Sequence, residues 1–565
     1  MPGDSLLVNN KATKQNTYDA IVVGSGVSGG WAAKELCEKG LKVLMLERGA
    51  HLEHPNYPTT TKDTWQFPHR LHLSIEDKKT HFIQSRHWSF REENKHFYID
   101  DTQNPYEEVK RFDWIRGDVV GGRSLLWSRA CYRWSDLDFE ANLKDGHGID
   151  WPIRYRDIAP WYDYAESFIG VSGNRDGIPQ LPDGIFQPPF EMNVVEKFFK
   201  EKIENHYTDR KVIMGRTANL TKPVKGRGQC QARDWCHRGC PWGAYFSTNA
   251  STMPAAYATN NLTVRPHSLV NRVLYDEQKN KAIGVEIIDT DSNQTMEFFS
   301  KIIFLNASTV GTAFILLNST SSRFPDGLGN GSGQVGKNLM DHHKGISASA
   351  TVDGFEDKYY YGRRPTPAYI PRFRNVSKKD APFLRGYHYG ASAGRGRQQG
   401  TGIGASLKEA MTEPGEWNLG LYAFGECLPY EENRITLNKD KKDKWGRSLI
   451  SIDCEFKENE KLMHKDMADT AKELLETAGL KNISVNSNMS FPGNANHEMG
   501  IARMGRDPKT SVLNAFNQMH EVPNVFITDG SCMTSGSCVN PSLTYMALTA
   551  RACDYAVKEM KKMNL

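Results

Sequence analysis

The sequence predicts an α/β domain of Rossmann-like type joined to an α+β domain built on a mostly antiparallel sheet, and three observations predict it. Residues 20–23 form a short apolar, β-branched run that breaks into Gly24-Ser25-Gly26-Val27-Ser28-Gly29 before a helical pattern begins at Trp31. A second apolar run, 42–46, ends in Glu47. From about residue 344 the pattern changes to alternating apolar runs at 346–352, 368–374, 384–389, 417–424 and 449–456, with turns between them, as in an antiparallel sheet. At 565 residues the chain is too long for one compact core, so at least two domains are expected.

The opening segment reads as strand, tight turn, helix. A dinucleotide pyrophosphate binds where backbone N–H groups point outward at a helix N-terminus and where glycines let the chain come close. Gly24, Gly26 and Gly29 occupy the three glycine positions of that fingerprint. Glu47 stands about 20 residues further on, where a carboxylate can accept from a ribose hydroxyl, which argues against a 2′-phosphate.

Charge is nearly balanced: 71 Lys and Arg against 67 Asp and Glu leave a formal +4. No basic block stands out, so nucleic acid is not indicated, and a small uncharged ligand is the expectation. The first 17 residues carry neither an apolar core nor a cleavage-like site, and no run of 18 apolar residues occurs. The expectation is a soluble chain without a direct membrane span, cytoplasmic as synthesised, and periplasmic only if exported together with a signal-bearing partner subunit.

Residues 51–115 are polar and aromatic with little periodicity and read as long surface loops. Next comes Gly121-Gly122-Arg123-Ser124-Leu125-Leu126-Trp127, a second place where backbone can press against a flat or phosphorylated ligand. A packed helix is expected over 156–168, and residues 171–228 read as an irregular cap or hinge. Three of the ten cysteines, Cys230, Cys236 and Cys240, fall close together. A strand at 262–264, a hairpin pairing 268–275 with 282–288, and a buried strand at 301–306 follow. A helix is expected over 458–480, and residues 390–404 read as a mobile loop over the site. In the tail, His497 lies in His497-Glu498-Met499-Gly500, and Asp529-Gly530-Ser531 precedes Asn540-Pro541-Ser542 at the start of a helix over 544–560. Asn540 suits a cap and Pro541 a first helical position.

The opening fingerprint, the VVGGRSLLW segment and this tail resemble the glucose–methanol–choline (GMC) family of flavoprotein oxidoreductases. The resemblance implies the GMC fold: a Rossmann-like FAD-binding domain in three pieces (1–160, 229–343 and 491–565), a cap segment (161–228), and a substrate domain (344–490). It implies that Gly24, Gly26, Gly29 and Glu47 hold the FAD, that Gly121, Gly122 and Ser124 lie against the isoalloxazine, and that backbone at Val270 meets the adenine. Asp529, Gly530, Pro541 and Ser542 complete the cofactor site. Some members attach the flavin to a histidine in the second glycine segment. Leu126 stands at the position similar to that histidine, so the implied FAD is non-covalent.

The catalytic pair implied is His497 with Asn540. Oxidising an alcohol by hydride transfer needs a base near the hydroxyl proton, and histidine suits this with an ordinary pKa of about 6.5. Asn540 can fix the same hydroxyl by hydrogen bonding. Within the family the chain is most similar to bacterial sugar dehydrogenases, with glucoside 3-dehydrogenase as the favoured expectation and a gluconate 2-dehydrogenase-type subunit, an oxygen-using oxidase or an inactive flavin-binding protein as alternatives. The implied partners are a sugar or glycoside substrate, a small subunit and a cytochrome c electron acceptor. Cys230, Cys236 and Cys240 are read as ligands of a 3Fe–4S cluster that relays electrons one at a time. Zinc with His237 as fourth ligand, or three reduced cysteines packed as small apolar residues, remain open.

Overall fold

The computed structural model describes residues 17–52, 57, 59, 62–234, 236–360, 362, 364–398 and 402–565. The predicted opening is present as β1 (Thr17–Val23), α1 (Val27–Glu38) and β2 (Val43–Leu46). α1 begins four residues before its periodicity does, because its first turn, Val27-Ser28-Gly29-Gly30, carries a single large apolar side chain. β1 and β2 pair in parallel, Ala20 opposite Val43, and β1 pairs in parallel with Thr295–Leu305 on its other side.

The first sheet runs Leu262–Arg265, β2, β1, Thr295–Leu305, Lys281–Asp289, Ser268–Asp276, and Val525–Ile527 joins the far end of Thr295–Leu305. Its strands in the middle are apolar on both faces because helices cover both sides. Ala20, Val22, Val43 and Met45 pack toward Ala32, Leu36 and the C-terminal helix Ser542–Lys561, while Ile21, Val23, Leu44 and Leu46 pack into the larger core on the opposite side.

The second sheet runs Lys481–Asn486, His343–Val352, Pro414–Gly425, Tyr387–Arg397, Ala368–Ile370, Ile213–Met214, all antiparallel. Alternate residues Ile346, Ala348, Ala350 and Val352 face a core shared with the helix Glu458–Thr477, whose Met463, Met467, Ala471 and Leu474 follow a helical spacing. Among the described residues no helix is long and apolar enough to cross a membrane.

Four expectations change. Residues 449–456 do not join the second sheet: Ser448–Asp453 pairs with Arg434–Lys442 and with Glu107–Glu108 in a separate small sheet. Alternation shows that a strand has a buried face but not which sheet buries it. Residues 51–115 are not plain surface loops, since Tyr57, Ile83, Phe90, Phe97, Tyr98 and Ile115 form a core of their own. The 171–228 segment holds the helix Val194–His206, opened by the reciprocal Asn193 and Glu196 capping bonds and buried through Val195, Phe199 and Ile203 against the second sheet. Residues 390–397 continue the strand Tyr387–Arg397, and 399–401 lie outside the described residues.

Candidate active site

The turn after β1 is shaped by close backbone approach. Gly24 has φ +88°, and a Cβ there would stand 2.3 Å from Asn306 O. At Gly29 a Cβ would meet Gly24 O at 1.9 Å, so only glycine lets α1 sit this close to the turn. Gly26 differs: nothing lies within 4 Å of the position its Cβ would take, and no side chain caps the α1 N-terminus that it precedes. The turn thus leaves open space in front of helix N–H groups that no side chain satisfies.

A cavity of about 330 Å³ opens there. Of the residues singled out from the sequence, Gly24, Gly26, Glu47, Gly122, Ser124, Val270, His497, Asp529, Gly530, Asn540 and Ser542 line it. Gly29, Gly121 and Pro541 stand one layer behind and shape the backbone instead. Gly121 has φ +99° and sets up the short helix Gly122–Leu125, and its N–H donates to Ser25 Oγ at 2.8 Å. Ser124 Oγ donates to Gly121 O at 2.6 Å and accepts from Thr248 N–H at 3.0 Å.

Glu47 is drawn into the turn: its carboxylate accepts from Ser25 N–H at 3.0 Å, from Ser25 O–H at 2.5 Å and from Gly49 N–H at 3.0 Å. Burial nevertheless raises its pKa. Asp529 accepts from Ser531 N–H at 2.9 Å and from Thr312 O–H at 2.7 Å, and so fixes the turn into Gly530.

A second cavity, about 1220 Å³, adjoins the first below the antiparallel sheet, and Trp88, Ser128, Lys344, Phe424 and Asn540 line both. His497 and Asn540 meet at this seam, with Asn540 Nδ2 3.3 Å from His497 Nε2. The other ring nitrogen, Nδ1, lies 2.9 Å from Nδ1 of His342. Because the Asn540 amide donates, His497 Nε2 accepts, which puts the His497 proton on Nδ1, directed at His342. Burial holds the His497 pKa well below 6.5, helped by His342 and by the charges of Lys344, Arg123 and His388. Burial alike brings His342 down to about 4 and His388 to about 3.

The backbone around His497 is pinned. Asp341 accepts from Ala495 N–H at 3.1 Å and His497 N–H at 3.0 Å, its pKa raised to about 7 by burial and by the nearby charge of Glu498. Glu498 forms a two-point ion pair with Arg123, 2.7 and 3.0 Å, tying the tail to the second glycine segment. The helix Ser542–Lys561 begins two residues before the expected range 544–560, and its cap position is Pro541, not Asn540, with no side-chain cap bond. Asn540 is therefore not a cap; its amide is spent on His497.

His87, Trp88, Arg123, His342, Lys344 and Glu498 were not found from the sequence. The doubled histidine in Asp341-His342-His343-Lys344 was the one local sign of them. The expected 3Fe–4S cluster is not supported. Among the described residues no group of three or more His, Cys, Asp or Glu side chains could hold a metal ion. Burial raises the thiol pKa of Cys230 and of Cys240, and the neighbouring Cys236 adds to both shifts. None of the three cysteines lines either cavity.

Two family models, both described as GMC oxidoreductase, match residues 18–344 and 429–549. The chain is 29% identical to 2-methyl-1,2-propanediol dehydrogenase of Mycolicibacterium austroafricanum, over 96% of each chain. It is 26% identical to the fructose dehydrogenase large subunit of Gluconobacter japonicus, over 96% of this chain and 98% of that one. A solved structure of a variant formate oxidase from Aspergillus oryzae shares the fold with TM-score 0.62 and 14% identity, covering 98% of this chain and all of that one.

Proposed function

The chain belongs to the GMC oxidoreductase family, and from that premise we propose that it is an FAD-dependent dehydrogenase that oxidises a secondary or hemiacetal hydroxyl of a sugar or glycoside to the keto or lactone product. The finer reading is oxidation at C3 of a glucoside. The observation that carries the proposal is the His497–Asn540 pair at the seam of the two cavities, with Asn540 Nδ2 3.3 Å from His497 Nε2.

The residues fit an FAD. The space before Gly26 and the uncapped start of α1 suit a pyrophosphate, and Glu47, Gly122, Ser124, Val270 and Ser542 lie along the same cavity. Leu126 offers no nucleophile, so the FAD is held without a covalent bond. Bound FAD would supply the hydride acceptor. The protein's own part is to hold the substrate hydroxyl between His497 and Asn540: the Asn540 amide turns from Nε2 to the hydroxyl oxygen and fixes the direction of the C–H bond, and the Nε2 lone pair so released takes the proton. The ring is neutral at rest because it is buried among cations. The Ser542–Lys561 helix presents its positive end to the cavity, where negative charge gathers on reduction. Electrons then pass to an external protein or dye acceptor.

A second reading, oxidation of an aldonate, is favoured by the cations that line the larger cavity: Arg86, Arg111, Lys197, Lys344, Arg364 and Arg395 against Asp113 and Glu191. The test is an anaerobic screen in which methyl glucoside, glucose and gluconate are mixed with the yellow holoprotein. Flavin bleaching with a sugar ketone as product is expected. No bleaching by any sugar or aldonate, with simple diols bleaching instead, would refute a sugar substrate, and faster turnover with oxygen than with a dye would make the protein an oxidase.

A further inference from the structure

The larger cavity contains a cation, Lys344, that among the described residues makes no ion pair within 4 Å, although Asp341 and Asp113 act on it at longer range. Lys344 is the second residue of the strand His343–Val352, opposite Phe424 in the neighbouring strand, and it lines both cavities beside Asn540. The other cations of this cavity are spent or lie in solvent. Arg86 and Arg111 share Asp113, Arg364 is clamped by Glu196, Arg395 donates to three backbone carbonyls, and Lys197 is exposed on its helix.

Among the described residues the Lys344 ammonium has one hydrogen-bond partner, His87 Nε2 at 3.4 Å, a nitrogen that also receives the Asn496 amide at 3.0 Å. His87 Nδ1 lies 2.6 Å from Ser89 Oγ and 3.3 Å from Ser89 N, while Nε2 is approached by two donors, the Lys344 ammonium and the Asn496 amide. Lys344 thus gives one of its three N–H bonds to a neutral histidine and keeps two. A half-buried ammonium with no carboxylate in contact, only Asp341 and Asp113 at a distance, is costly unless a ligand supplies a nearer charge. The near-zero balance of the whole chain conceals this local excess.

We infer that Lys344 is the anchor for a carboxylate on the substrate, so that the sugar oxidised at His497 and Asn540 is a sugar acid: a glycuronoside for the C3 reading, an aldonate for the other. This rests on the proposed sugar dehydrogenase activity and narrows its substrate class. A carboxylate is chosen over a phosphate because one ammonium with two free N–H bonds matches a single charge shared by two oxygens. His497 registers the charge of Lys344, so the anchored group and the reacting hydroxyl belong to the same end of the substrate.

The experiment compares anaerobic reduction of the holoprotein by matched pairs: methyl β-glucuronoside with methyl β-glucoside, gluconate with glucitol, and glucose 6-phosphate with glucose. The acid of at least one carboxylate pair should have a kcat/KM on the order of 10- to 100-fold above its neutral partner, the gap lying in KM. Lys344→Met, loaded with FAD, should erase that gap, and Lys344→Arg should keep most of it. Binding is read separately from the flavin absorbance on titration with methoxyacetate and methoxyacetamide, neither of which offers a hydroxyl to oxidise. A change saturating with methoxyacetate alone, and lost in Lys344→Met, supports the anchor even if no sugar acid proves to be a substrate; in that case it is the sugar reading that fails. Neutral sugars equalling their acids, with no response to methoxyacetate, would overturn the inference and leave the dehydrogenase standing. Preference for glucose 6-phosphate would assign the site to a phosphate, and an unchanged acid preference in Lys344→Met with a shifted flavin potential would assign the charge to the reduced flavin; either overturns the inference.

Discussion

Gly26→Ala separates the role of the turn in holding the cofactor from its role in the fold. At Gly26 the backbone is extended, φ −65° and ψ −161°, which alanine can adopt, and nothing lies within 4 Å of the added Cβ. The apoprotein should therefore be as stable as wild type, or more stable by about 0.4–1 kcal/mol through the stiffer unfolded chain. The methyl group would occupy the space through which a pyrophosphate reaches the α1 N–H groups. Crowding a well-filled site costs about 1–3 kcal/mol, which weakens FAD binding about 5- to 150-fold.

Gly29→Ala is the contrast. Its Cβ would stand 1.9 Å from Gly24 O and 2.8 Å from Gly24 C, backbone atoms that cannot swing aside. That variant should lose stability of the fold itself. The assay titrates each apoprotein with FAD, following the quenching of flavin fluorescence, and measures thermal unfolding without FAD. Wild-type FAD affinity in Gly26→Ala would refute the placement of the pyrophosphate, and a wild-type melting temperature in Gly29→Ala would refute the close packing of α1 on the turn.

His497→Ala should retain FAD yet slow flavin reduction by about 10²–10⁴-fold, the contribution of a positioned base, as read by anaerobic stopped flow. Asn540→Ala should reduce the rate less, by the ~0.5–1.5 kcal/mol of a neutral hydrogen bond, with an unchanged melting curve because Asn540 caps no helix. Acid precipitation should leave the yellow colour in the supernatant, whereas colour in the pellet would mean a covalent flavin and contradict the role given to Leu126. The pH profile of kcat/KM should keep its acid limb well below 6.5, since His497 is held neutral there and loses activity only on protonation. With a sugar acid, a basic limb should appear near pH 8, where burial places the Lys344 pKa, and vanish in Lys344→Met.

What the sequence reveals is what local chemistry dictates. Gly24 and Gly29 are legible because a Cβ there would stand 2.3 and 1.9 Å from backbone oxygens, Gly26 because the fingerprint needs open space before the helix N–H groups, and Glu47 because it directly follows the next strand. His497 and Asn540 are legible as motifs. Their surroundings are not, because those contacts cross the chain: His342 meets His497 from 155 residues away, and Arg123 reaches Glu498 across 375. Residues 57–98 lack a period yet pack Tyr57 edge-on to Phe97 and Phe90 edge-on to Tyr98, since aromatic clusters need no regular spacing. The helix Val194–His206 was available to a closer reading, in the cap pair Asn193 and Glu196 and the spacing of Val195, Phe199 and Ile203. The three cysteines are a different case: the loop brings Cys230 within electrostatic reach of Cys236 and Cys240, yet among the described residues they do not form a group that could hold a metal ion, so spacing along the chain does not support the cluster.

The placement of Asp341 gives the site its chemical logic. A buried carboxylate next to a catalytic histidine commonly receives the ring N–H, and there it raises the affinity of the ring for a second proton. Here the carboxylate goes to the main chain instead, accepting from the N–H of Ala495 and His497, and the ring nitrogen faces the neutral His342. Asp341 thus fixes where His497 stands without making it a stronger base. The charges of Arg123 and Lys344 lower its basicity further. Such a base is unprotonated at every pH near neutral, so no fraction of the protein waits in the wrong state. In the proposed reaction it would also have little driving force for deprotonating an alcohol by itself, so proton removal would accompany departure of the hydride. The imidazolium formed among those cations is unstable and gives its proton up once product leaves, which returns His497 to the state that the next hydroxyl requires.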